Sequence, residues 1–204
     1  MGRYVWVGAM VAASAFLVHS ATRILVFTEA SYRVFWPNRY WLLVHFAAGS
    51  IALVCGLLQF SARLRERYRA AHRWTGRLYL TAVTVGVTSA WYMSFHAVLG
   101  WTLGVATFFL GVAWVVTTGM AWAAILRRRV SIHREWMIRS YVVTFAFVFF
   151  RALFASPLFV GSGTLEERST ALLWMSLFVP LLITEVVLQQ RRLGDAHTAI
   201  QRRE

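Results

Sequence analysis

The chain contains no lysine and has few acidic residues. All 21 basic residues are arginine, against eight Asp and Glu, and the formal net charge is +13. So few carboxylates leave no ligand set for a hard metal ion, which disfavours carboxylate chemistry and magnesium-dependent phosphoryl transfer. The motifs G-x-S-x-G, C-x-x-C and H-E-x-x-H are also missing, as is a phosphate-binding loop. The sequence therefore gives no indication of these classes of enzyme.

Charged residues of either sign are scarce as well. They make up 14% of the chain, compared with about 25% in a typical soluble domain. Together with 59% hydrophobic residues and a mean hydropathy of +0.58, this predicts a multi-pass membrane protein without a sizeable soluble domain. The single cysteine, Cys55, lies in an apolar segment, so an intrachain disulfide is impossible, and we interpret it as a small buried residue.

Six apolar segments each approach the roughly 20 residues needed to cross a bilayer core. We expect helices, because backbone in lipid must form its hydrogen bonds internally. The first segment exceeds the apolar part of a typical signal peptide, so we expect it to be retained. The sequence thus predicts an all-α bundle of six transmembrane helices in a single membrane domain over residues 1–204. The predicted spans are residues 4–27, 40–60, 78–96, 101–126, 136–160 and 170–190.

The arginines divide unevenly between the two ends of these spans. One side has only Arg23, Arg33, Arg39, Arg151 and Arg168, and the other side has the rest. By the positive-inside rule the rich side is cytoplasmic, with both termini inside, and we expect the bacterial cytoplasmic membrane. Because the arginines lie in short connections between apolar spans, they predict contact with membrane lipid headgroups rather than with nucleic acid.

Two arginine-rich stretches, residues 63–79 and 127–141, share an order of residues. Each has several arginines, then His-Arg, then Trp, then Arg-x-Tyr, and the two histidines, His72 and His133, are 61 positions apart. The sequence therefore predicts that both reach the same depth at the inner edge, from the third and fifth spans. Two facing imidazoles would hold the iron of haem b from both axial sides. Alternatively, the two histidines contact lipid phosphate or cap helices.

Residues near this pair have predicted roles in holding the cofactor. Arg77 and Arg139 lie one to two turns beyond the histidines, where they would pair with haem propionates. Tyr79 would add a hydrogen bond or a ring contact.

On the outer side, His45 lies within the second span and is the candidate for a second cofactor site, with His96 or His19 as its only possible partners. Arg151 would pair with a propionate, a quinone oxygen or Glu29, or would reach the membrane interface as a snorkelling residue. Glu185 in the last span is either a buried proton-active group or, as we favour, a partner for arginines near the end of its helix.

Small residues recur at intervals of four in the second span, at Ala48, Ala52 and Gly56. Such a stripe indicates close helix packing, which we favour over room for a flat cofactor.

These motifs resemble one family of membrane proteins over about residues 40–158. The chain is similar to domain-of-unknown-function family twenty-three-oh-six, a family of uncharacterised bacterial multi-pass membrane proteins, which implies its fold. The matching positions are His45, Gln59-Phe60, His72-Arg73-x-x-Gly76-Arg77-x-Tyr79, Trp114, His133-x-x-Trp136-Met137-x-Arg139-Ser140 and Arg151.

The chain also distantly resembles the six-helix di-haem cytochromes b. In that family four consecutive helices carry axial histidines on alternating sides, and His45, His72 and His133 match the first, second and fourth positions. The third position, in the span over residues 101–126, has no histidine, which leaves the outer haem without one ligand. The resemblance implies electron transfer, with ascorbate or a quinol as donor.

Three functions are consistent with the sequence. The first is a b-type haem protein in transmembrane or quinone-linked electron transfer, whose reduction potential would be tuned by its axial imidazoles. The second is a haem-free accessory or scaffold subunit whose arginine-rich face binds lipid or partner subunits. The third is a small-molecule transporter, which the absence of mid-span acids and of broken helices disfavours.

Overall fold

The computed structural model describes residues 3–201, apart from the side chains of residues 3–6, 23 and 195–200. Its regular structure is helical throughout this range, in agreement with the predicted all-α class. Two short 3-10 helices, Arg33–Asn38 and Pro157–Phe159, accompany the α-helices. The α-helices are α1 (Arg3–Ile24), α2 (Glu29–Tyr32), α3 (Arg39–Gln59), α4 (Ala62–Arg67), α5 (Arg69–Phe95), α6 (Trp101–Leu126), α7 (Val130–Ala155) and α8 (Leu165–Gln201).

In the described part of the chain, four helical segments are long and apolar enough to cross a membrane: Glu29–Gln59, Trp101–Leu126, Val130–Ala155 and Leu165–Gly194. Six were predicted. The other two predicted spans correspond to α1, whose described part includes the apolar helix Val7–Thr22, and to α5, which is not among the four. In α5, hydroxyl residues interrupt the apolar ones. Three of its threonines donate to the carbonyl one turn earlier, at 2.9 to 3.2 Å, which satisfies their hydroxyls within the helix.

Several helices extend beyond the predicted spans. Helix α5 begins at Arg69 rather than at residue 78, and α7 begins at Val130 rather than at residue 136. Hydropathy marks the apolar part of a helix, whereas backbone hydrogen bonding continues into the polar flank. His72 and His133 consequently lie inside the first turns of α5 and α7, where their N–H groups bond to the carbonyls four residues earlier.

The segment over residues 28–39, predicted to be a loop, is largely helical. The hydroxyl of Thr28 accepts the N–H of Ser31 and caps α2. The 3-10 helix that follows contains Pro37 and leads directly into α3. Helix α8 also begins inside a predicted loop, because Thr164 and Glu167 form a reciprocal capping box at 2.8 and 3.2 Å.

Helix α3 packs against α5, α6 lies against both α5 and α7, and α8 covers α6 and α7. Helix α1 rests on α3 and α7. The close approach depends on small residues, since a Cβ on Gly56 would overlap the ring of Tyr141 and lie 3.2 Å from the ring of Tyr79. The predicted stripe of Ala48, Ala52 and Gly56 is buried, so the packing interpretation is confirmed.

Candidate functional site

A buried polar network joins α5, α6 and α7 in the middle of the bundle. The phenol oxygen of Tyr79 lies 2.7 Å from the hydroxyl of Ser140 and 2.8 Å from that of Thr144. Thr118 approaches Ser140 at 2.7 Å, and the indole N–H of Trp114 donates to Thr144 at 2.9 Å. All five side chains are buried.

The donor and the acceptor of each of these hydrogen bonds can be assigned, starting from the backbone carbonyl at one end of the network. Thr144 donates to the backbone carbonyl of Ser140 at 2.9 Å, so its oxygen accepts from Trp114 and from Tyr79. The oxygen of Tyr79 then accepts from Ser140, whose oxygen accepts from Thr118. Each hydroxyl donates once, and the buried network is therefore fully satisfied, which makes it a rigid connection between three helices.

His133 is held by a hydrogen bond to the neighbouring helix. Its Nδ1 lies 2.8 Å from the carbonyl oxygen of Ala121 on α6. A carbonyl only accepts, so Nδ1 carries the proton and Nε2 carries the lone pair. The imidazole is half-buried. A ring fixed in this way presents Nε2 as a ready ligand for a metal ion.

His72 has a different environment. Its Nδ1 is buried and has no hydrogen-bond partner among the described residues. Gln59 of α3 donates to the carbonyl of His72 at 3.2 Å and to the hydroxyl of Thr75 at 2.6 Å, which holds this turn of α5 in place. Burial lowers the pKa of His72, and the charges of His133 and Arg65 lower the pKa further. A buried imidazole nitrogen without a partner is available as a ligand.

The two histidines lie at the same distance along their helices from this network. Tyr79 lies seven residues after His72, and Ser140 lies seven residues after His133. Seven residues are close to two helical turns, so each histidine shares a helix face with the member of the network on its own helix. Because Tyr79 and Ser140 are hydrogen-bonded, both histidines lie about two turns before the same junction. Among the residues whose side chains the structure describes, there is no cluster of three or more His, Cys, Asp or Glu suited to a metal ion.

Arg139 forms ion pairs with two carboxylates. Its Nε and Nη2 lie 3.0 and 2.7 Å from one oxygen of Glu185 on α8, and Nη1 lies 3.7 Å from Glu135. Glu135 also bonds to Arg192. The predicted role of Glu185 as a partner for arginine is confirmed. These carboxylates occupy the guanidinium that was predicted to pair with a haem propionate.

Arg77 and Tyr79 complete the set predicted at the inner edge. Arg77 is exposed, with its guanidinium carbon 5.0 Å from the ring centroid of Trp74, so its charge is accessible to a carboxylate. Tyr79 uses its hydroxyl inside the network rather than toward the surface.

The ion pair between α7 and α8 leads to a testable result. We expect Glu185→Gln to destabilise the protein by about 1 kcal/mol, because Arg139 is only 11% exposed and loses its closest anion. The loss is kept small by Glu135 and by the partial exposure of Glu185. The measurement is thermal unfolding in detergent. Glu66→Gln, which removes the exposed pair with Arg65, is the matched control and is expected to change little. Equal effects of the two substitutions would contradict the assignment.

On the predicted outer side, His45 repeats the arrangement of His133. Its Nδ1 donates to the carbonyl of Gly86 on α5 at 2.9 Å, and Ser89 lies 3.4 Å away. The ring of Phe147 on α7 meets it edge-on at 5.1 Å between centroids. Arg151 is exposed one turn beyond Phe147.

The partners predicted for His45 lie elsewhere. His96 bonds through Nδ1 to the carbonyl of Tyr92 and stacks on that ring at 4.2 Å, and Tyr92 stacks in turn on Trp41. His19 is exposed on α1, where it lines an open groove. A second site at His45 stays a prediction, and neither histidine contacts it.

The polar partners of Tyr79 were missed by sequence reasoning. Ser140 and Thr144 are separated by four residues on α7, and Ser140 follows His133 by seven. This spacing places all three on one face of α7 and was the signal available for the network.

These helices, with a buried polar network at their centre and charged ends, define a polytopic helical membrane protein. Residues 42–188 match the family model described as Predicted membrane protein (DUF2306). The match covers more than half of the chain, so the chain belongs to this family, and the resemblance drawn from the histidine and arginine motifs is confirmed. No curated protein and no solved structure is similar enough to the chain to count as a match.

Proposed function

We propose that the chain is a membrane-embedded b-type haem protein that holds one haem between His72 and His133. It takes part in transmembrane or quinone-linked electron transfer, with a quinone or another redox protein as partner. The observation that carries the proposal is the state of the two rings. One has Nε2 left as a lone pair by a hydrogen bond to Ala121, and the other has a buried Nδ1 without a partner.

The residues fit the group. The imidazoles of His72 and His133, in the first turns of α5 and α7, would hold the iron of a b-type haem, which needs two protein ligands. When bound, haem supplies one-electron chemistry between two oxidation states of its iron. The chain's own contribution is to orient His133 through the Ala121 carbonyl, which would tune a reduction potential.

The proposal includes the topology. Helix α5 has 27 residues, about 40 Å by helical rise. It packs between α3 and α6, which are both apolar enough to span, so α5 crosses with them. With α1 this gives six spans. In this proposal both termini are in the cytoplasm and His72 and His133 lie at the inner edge of a bacterial cytoplasmic membrane, which the distribution of arginine supports.

The direct test is a visible spectrum of the purified full chain before and after dithionite. We expect a sharp reduced alpha band and, by pyridine haemochrome assay, one haem for each chain. A colourless protein after expression with added haem precursor would overturn the proposal.

A haem-free accessory or scaffold subunit is the second candidate, and one observation favours it. The ends of α4, α5 and α7 carry exposed arginines with few acids among them, which suits anionic phospholipid or an acidic partner subunit. These residues are Arg63, Arg65, Arg67, Arg69, Arg73, Arg127, Arg128, Arg129 and Arg134. A colourless chain that retains anionic lipid, and loses it when these arginines are changed to glutamine, would establish this function instead.

A further inference from the structure

The buried network is the connection between the helices that carry the candidate ligands. His72 is on α5, His133 is on α7, and the carbonyl that orients His133 belongs to Ala121 on α6. Tyr79, Ser140 and Thr118 join these same three helices. Thr118 precedes Ala121 by three residues, so the network lies about one turn from that carbonyl and two turns from the histidines.

We propose that the hydroxyl of Tyr79 is a positioning group that sets the separation of His72 and His133. Tyr79 makes the direct hydrogen bonds from α5 to α7, at 2.7 and 2.8 Å. Because each helix is rigid over two turns, the distance between α5 and α7 at Tyr79 also sets the distance between the two histidines. The inference rests on the proposed function in one respect: the separation of the two histidines would decide how firmly both of them hold a haem iron.

The matched comparison is between two buried tyrosines. Tyr79→Phe removes the bonds to Ser140 and Thr144, whereas Tyr141→Phe removes a bond of 3.2 Å to the carbonyl of Leu53 on α3. Both lose one buried hydroxyl and keep the ring. Only the first substitution disconnects α5 from α7. A role in stability alone would leave the separation of His72 and His133 unchanged in both variants.

With haem bound, the readout is carbon monoxide binding to the reduced full-length protein. A haem with two firmly held imidazoles binds carbon monoxide only when one ligand leaves. We expect Tyr79→Phe to raise the rate roughly five- to tenfold, because both hydrogen bonds of its hydroxyl to α7 are lost, and Tyr141→Phe to leave the rate unchanged. If Tyr79→Phe does not fold, Ser140→Ala removes one of the two bonds of Tyr79 from the other helix, together with the bond to Thr118, and is expected to shift the distance between spin labels on the two helices in the same direction by a smaller amount.

A second readout does not need haem. Spin labels are placed at Arg73→Cys and Arg134→Cys, each next to a histidine and exposed, in a chain carrying Cys55→Ala. Distances between the labels are measured by pulsed electron resonance. We expect Tyr79→Phe to shift the mean distance by roughly 1–2 Å, the size of a typical helix displacement, and to broaden the distribution.

The two readouts separate the two proposals. A wild-type chain without haem removes the proposed function, and the label distances then decide the positioning role alone. Label distances that move in Tyr79→Phe and stay fixed in Tyr141→Phe support it. Distances that are equal in both variants and in the wild type overturn it, whatever the colour of the protein.

Discussion

His133→Ala is expected to abolish the reduced alpha band and to weaken haem binding by more than ~100-fold, beyond the loss typical of an outer-shell partner. The reason is that Nε2 of His133 is the better prepared of the two ligands, with its proton fixed on Nδ1 by Ala121. The measurement is haem content and the visible spectrum of the purified variant, and His72→Ala is expected to give the same result. Free imidazole added to His133→Ala should restore part of the band by entering the vacated position.

The control is His96→Ala, because that ring is exposed and stacks on Tyr92 at the other end of the bundle. It should keep the wild-type spectrum. A spectrum that survives in His133→Ala and His72→Ala but disappears in His45→Ala would move the haem to the outer site.

The second large effect is expected at Gly56. A methyl group there would overlap the ring of Tyr141 and press on that of Tyr79, and both rings are buried with their hydroxyls bonded. We expect Gly56→Ala to destabilise the protein by about 1–3 kcal/mol, the usual cost of overpacking. Thermal unfolding in detergent measures this loss.

Gly49→Ala is the matched control on the same helix, because nothing lies within 4 Å of the added methyl group. It should leave the unfolding temperature near that of the wild type. A Gly56→Ala protein as stable as Gly49→Ala would show that α3 moves aside freely and that the tyrosines do not fix its position.

The helices could be predicted from the sequence to different degrees. Helix α6 has the predicted bounds, since its apolar run ends where its helix ends. Helices α5 and α8 are longer than predicted, because an apolar count does not detect helical turns made of polar residues. Helix α7 begins at Val130 rather than at residue 136 and ends at Ala155 rather than at residue 160, so its predicted span was displaced. The helical turns over residues 28–38 were missed because they depend on caps and on Pro37, which are local features that an apolar count does not detect.

Only some residues of the candidate site could be predicted from the sequence. The repeated order of arginine, histidine and tryptophan pointed to His72 and His133, and the acid Glu185 was expected to meet an arginine, as it does with Arg139. The backbone carbonyls that bond to His133 and His45 could not be predicted, because every residue has a backbone carbonyl and the sequence does not show which one lies near a given ring. The partners of Tyr79 depend on how α5 and α7 are rotated about their axes, which spacing within one helix does not give.

Helix α8 is fastened at two separated points. Near its start Glu166 accepts a hydrogen bond of 2.7 Å from Thr102 on α6, and farther along Glu185 pairs with Arg139. Between them Leu172, Leu173 and Leu177 are buried against the bundle, whereas Phe178 and Ile183 are exposed. Mechanical extraction from the C-terminal end should proceed in two force steps, with a pause when the contacts of Arg192 and Glu185 with α7 yield and another when the buried leucines and the Thr102 contact are lost.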